Sequence, residues 1–149
     1  MPLGDLTPEG RGIDSELAPD HIFELLVHVA NTTDVEMAIT LHVHGQLITG
    51  RLISGATFWS ECARELREDA TGHEELVETM AANMDRVAEE YRASYGEGGI
   101  DDAEPMTAFI HLRDARTFTG QGPTPKSGAL WRGRLASVDG FTLGELHRS

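Results

Sequence analysis

Two histidines, His42 and His44, stand at i and i+2 in the run M-A-I-T-L-H-V-H over residues 37–44. On an extended strand that spacing turns both imidazoles to one side, where they could share a metal ion. Zinc takes three or four ligands, and this strand supplies two, so His111 on a later strand is the candidate third. Solvent-facing strand histidines explain the pair more simply, and no metal site is assigned. His73, Glu74, Glu75, Leu76 and Val77 begin like the zincin helix H-E-x-x-H, but Val77 stands where the second histidine must be. Thr71 through Glu74 (T-G-H-E) instead fits a capping box that opens a helix. Cys62 has Arg64 as its nearest base and lies on the apolar line of a helix, which marks an inert core thiol. Ser54, Ser127 and Ser137 lack a G-x-S-x-G elbow, and Gly120-Gln121-Gly122-Pro123 lacks the spacing and lysine of a P-loop. Nothing here composes a catalytic site or a cofactor pocket, so the expectation is a non-enzymatic chain. The remaining chemistry is a set of guanidiniums, Arg113, Arg116, Arg132 and Arg134. They either pair across strands, as Arg134 would with Glu145, or form a basic stripe that docks a partner.

Charge narrows the partners. The 149 residues carry a net charge of −13, and it is unevenly spread. Residues 1–104 hold 22 acids against 6 bases, while residues 105–149 hold 3 acids against 6 bases. An acidic body repels phosphate backbones, which argues against nucleic acid. The basic C-terminal third suits an acidic partner, or the acidic helices of another copy in a homo-oligomer, while the simpler reading is that the excess acid keeps the protein soluble. One cysteine excludes an internal disulfide and a four-cysteine zinc site. The chain shows neither a secretory leader nor an apolar run of the ~20 residues that span a bilayer, so a cytoplasmic, non-membrane protein is expected.

The elements that would position these residues follow from periodicity. Residues 1–18, rich in proline and glycine, read as a disordered tail, and 19–149 as a single domain. Pro19 and Asp20 open an amphipathic helix carrying Ile22, Phe23, Leu25, Leu26, Val29 and Ala30. A hairpin follows, with Gly45 and Gln46 as a type II′ turn that pairs Val43 with Ile48, Leu41 with Gly50 and Ile39 with Leu52. Residues 56–105 form an acidic helical insertion and linker. Its helices cover 57–68 and 71–95, the second with Leu76, Val77, Met80, Met84, Val87, Ala88 and Tyr91 recurring every three or four residues. Residues 96–105 complete it as a mobile acidic linker. A strand over 108–118 precedes a loop over 119–128. Asp139 and Gly140 then form the two-residue turn of a last hairpin, which pairs Val138 with Phe141, Ala136 with Leu143 and Arg134 with Glu145. That ribbon is apolar on both faces and belongs inside an enclosed sheet. The expected fold is α+β: a small, strongly bent antiparallel sheet or Sm/SH3-like barrel, with an N-terminal capping helix and the acidic insertion.

Three strings in the C-terminal third carry a resemblance: F-I-H-L-R-D-A-R-T-F (109–118), T-P-K-S-G (124–128) and L-W-R-G-R-L-A-S-V-D-G-F-T-L-G-E-L (130–146). With I-T-L-H-V-H-G-Q-L-I-T-G-R-L-I-S-G (39–55) they resemble the gas vesicle accessory protein U family, GvpU, over residues 20–146. The resemblance implies a non-enzymatic protein that regulates gas vesicle assembly or clustering through self-association and contacts with shell or other accessory proteins. It places the protein in the cytoplasm or on the vesicle surface and transfers no catalytic residue. His42 and His44 depart from the family pattern. The order of elements is also similar to that of an Sm-like barrel. An RNA-binding module is therefore the rival function, opposed by the surface charge, and a small metal-binding protein is the third.

Overall fold

The computed structural model describes residues 21–95 and 108–146. The expected tail over 1–18 and the linker over 96–105 lie outside these residues. The first helix, α1 (His21–Thr32), precedes the hairpin β1 (Met37–Val43) and β2 (Gln46–Ile53). Two helices follow, α2 (Gly55–Asp69) and α3 (Glu74–Tyr95). The chain then returns to strands β3 (Phe109–Thr119) and β4 (Gly122–Arg134). A single 3-10 turn (Leu135–Ser137) leads to β5 (Gly140–Leu143). The five strands form one sheet in the order β4-β3-β2-β1-β5, with every neighbouring pair antiparallel. The α+β architecture matches the expectation in its open-sheet form. β4 and β5 are the two edges, and among the described residues no strand pairing joins them into a barrel.

Alternation along β1 decides which side chains reach the core. Ile39 and Leu41 share a face with Ile48, Leu52, Ile110 and Leu112, and Phe23, Val27 and Ala30 of α1 close over it. Each such aliphatic side chain contributes about 1.5–3 kcal/mol by leaving water. The helix α1 therefore caps one face of the sheet, as its amphipathic pattern requires. The other face takes the α2–α3 pair, where Phe58 and Tyr91 lie against His111 of β3. The Ser54 hydroxyl caps α2 by accepting from the Thr57 N–H at 2.9 Å. The Asn31 side-chain oxygen accepts from the Gly55 N–H at 2.8 Å and ties the end of α1 to the start of α2.

Four local expectations are corrected. The first hairpin turns at His44 and Gly45, both with positive φ (49° and 82°), as a type I′ turn requires. Leu41 therefore pairs with Ile48 and Ile39 with Gly50, two residues away from the expected register. A two-residue shift preserves the faces, so the core assignment survives it. The capping box at Thr71 does not form. Gly72 and His73, which would have to be helical, have φ of 80° and 42°, and α3 starts at Glu74. The expected loop over 119–128 is a turn at Gly120 and Gln121 followed by β4, with Phe118 paired to Pro123 and Thr117 to Thr124. Prolines are tolerated there because β4 is an edge and no further strand needs their missing N–H.

The last hairpin is the largest correction. Neither Asp139 nor Gly140 has positive φ, and β5 pairs with β1, placing Leu143 opposite Ile39 and Phe141 opposite Leu41. The pairs Val138–Phe141, Ala136–Leu143 and Arg134–Glu145 do not exist. Asp139 is held by the first hairpin: its N–H donates to the His42 carbonyl at 2.7 Å, and its carboxylate accepts from the His44 N–H at 2.8 Å. Crossing to β1 satisfies backbone groups on an edge that would otherwise stand open. It also stacks Phe141 on Phe23 at 4.9 Å.

Candidate functional site

The histidines do not converge. His42 is exposed, with its Nε2 3.4 Å from the Thr142 hydroxyl. His44 is an exposed turn residue. His111 is 1% exposed, with its ring 4.8 Å from Phe58 and 5.7 Å from Tyr91. Burial, and then the charge of Arg132 on the neighbouring strand, push its pKa down to about 3. Among the described residues no three His, Cys, Asp or Glu side chains gather as a metal site. Burial, followed by the nearby Glu65 and Glu61 carboxylates, raises the Cys62 thiol to about 11, which keeps it protonated and poorly nucleophilic.

The four arginines separate into two kinds. Arg113 reaches from β3 to two carboxylates, forming a fork with Glu61 of α2 and a 2.6 Å bond to Glu36. Those partners hold it even more firmly protonated than an ordinary arginine. Arg132 stands opposite His111 on β4 and lays its guanidinium over Phe109 at 3.5 Å and near Trp59 at 5.3 Å. Cation–π contact takes the place of hydrogen bonding at its Nε, which, like Trp59 Nε1 and His111 Nε2, is buried without a hydrogen-bond partner. These two arginines are structural links between the sheet and α2. Arg116 donates to the carbonyls of Lys126 and Asp114 at 3.1 and 3.3 Å. Arg134 is exposed and makes no ion pair among the described residues.

Two surfaces carry charge left unbalanced among the described residues. β4 has Lys126, Arg132 and Arg134 and no acid in its 13 residues. The helix α3 has six acids against two bases. Arg67 of α2 engages Glu78 at 2.8 Å and Asp85 at 2.9 Å, and Arg92 takes Glu89. Glu74, Glu75 and Glu90 remain unpaired among the described residues. Beside them Leu76 and Met80 are 57% and 45% exposed. Periodicity alone places both in the core. The signal that separates them is the width of the apolar set, which covers more of α3 than one neighbouring helix can bury.

Among the described residues, the acidic, partly apolar α3 and the basic β4 are the surfaces that stand out. Comparison with protein-family models matches residues 20–146 to a family described as gas vesicle protein GvpU-like. No curated protein and no solved structure matches the chain.

Proposed function

The chain belongs to the GvpU-like family of gas vesicle proteins, and from that membership we propose that it regulates gas vesicle assembly or clustering through self-association and contacts with shell or other accessory proteins. The observation that carries the proposal is the extent of the match. Residues 20–146 take in α1, the whole sheet and the α2–α3 pair, so the family likeness covers the fold and not a fragment of it. The exposed apolar pair on α3 and the oppositely charged β4 support a role in binding other proteins. The proposed place of action is the cytoplasm or the vesicle surface. Among the described residues no helix is long and apolar enough to cross a membrane.

Flotation tests this directly. Gas vesicles isolated from cells lacking the protein are mixed with purified protein and floated by low-speed centrifugation. The expected result is protein carried into the floating layer, with vesicle clusters visible by phase contrast. Protein that stays in the subnatant at every concentration, with vesicles dispersed as before, would sink the proposal.

A further inference from the structure

We propose that copies of this chain associate head to tail, the exposed flank of α3 in one copy lying against the β4 edge of the next. The inference rests on the self-association reading above and adds its surfaces and symmetry. On α3, Leu76, Met80, Asn83, Val87 and Glu90 recur at i, i+4, i+7, i+11 and i+14, which places them on one flank. Ala81 and Ala88, fully buried, sit on a separate line. The flank therefore presents apolar surface, with Leu76 and Met80 exposed and Val87 half-buried, bordered by unpaired Glu75 and Glu90.

Charge decides what covers it. A two-fold contact between two such flanks would bring acids against acids, in a region where α2 and α3 together carry ten acids and four bases. Like charges face to face oppose that arrangement. β4 has the complementary character: Lys126 and Arg134 are exposed and free of ion pairs among the described residues, no carboxylate lies on the strand, and it is an edge of the sheet. Because the two surfaces differ, one contact leaves a free α3 on one copy and a free β4 on the other. Such heterologous contacts extend into rings or open chains and do not stop at a dimer.

Sedimentation velocity on the full chain, with charge-reversed variants, tests this. The wild type is expected to gain mass with concentration and to lose it as NaCl is raised. K126E/R134E alone and E75K/E90K alone should each associate about tenfold more weakly or less, while circular dichroism shows both folded. An equimolar mixture should regain association, because each altered surface then meets its opposite. If wild type associates and K126E/R134E does so equally well, the head-to-tail arrangement is overturned while self-association stands. A wild type that is monomeric at every concentration and salt overturns both.

Discussion

His111 shows how a residue type can suggest chemistry that its surroundings remove. In F-I-H-L-R it is a candidate third metal ligand, since the strand pattern alone cannot say what lies above the second face of the sheet. Phe58 and Tyr91 lie there, contributed by helices more than 15 residues away in the chain, and they keep the imidazole neutral. The folded pKa of about 3 lies below the ordinary 6.5. Above pH 6.5 neither state is charged and His111 has no effect on pH dependence. Below it the unfolded chain binds a proton that the folded protein refuses, so stability falls as pH drops towards 3. Denaturation of His111→Leu and wild type in urea at several pH values measures this. The stability difference should move by about 1.4 kcal/mol per pH unit below 6.5, in favour of the variant; a constant difference would show that the ring titrates normally. By sequence Arg113 is open to either ion pairing or a docking stripe, and Glu36 and Glu61 claim it. Arg113→Ala leaves those two half-buried carboxylates without their shared cation and should cost about 1–3 kcal/mol in thermal or urea unfolding.

At the scale of elements, what was legible was whatever local pattern determines. The amphipathic α1, the alternating β1 and the two acidic helices all form close to their expected limits. What was not legible was pairing that depends on distant edges. Asp139 and Gly140 give a strong local hairpin signal, but β1 offers an open edge more than 90 residues earlier, and β5 takes it. The reverse holds at residues 119–128, where prolines and glycines suggest a loop and the edge position of β4 admits them to a strand. Two glycine substitutions separate these geometries. A Cβ added at Gly140 would have no atom within 4 Å, and the residue has no positive φ, so Gly140→Ala should change stability by less than about 0.5 kcal/mol. A type I′ turn at that position would be penalised far more. Gly55 is the opposite case: a Cβ there would lie 2.2 Å from the Tyr91 ring, where α2 and α3 meet beside the end of α1. Gly55→Ala should cost about 1–3 kcal/mol by overpacking, read from the urea midpoint.

For the molecule as a whole, the family was legible before the topology was. The strings that carry the likeness are local, and they keep their identity whichever strand they pair with. The partition of charge was legible too, because it needs only counting. Which charges are left over was not, since it took the fold to show Arg67 occupied by Glu78 and Asp85 while Glu75 and Glu90 stay unpaired among the described residues. That residue of uncompensated charge has two opposite consequences for salt. Within one copy, α2 and α3 together carry ten acids against four bases, so raising NaCl from about 20 to about 300 mM, over which the Debye length shrinks from roughly 20 Å to roughly 6 Å, screens that net repulsion and should raise the melting temperature or leave it level. Between copies, the same screening weakens attraction of α3 for β4. Melting curves and sedimentation measured on one salt series should therefore move apart, the fold holding or gaining while the assembly dissolves. Assembly that strengthens with salt alongside the fold would point to the apolar surface of Leu76 and Met80 as the dominant contact and to charge as a minor one.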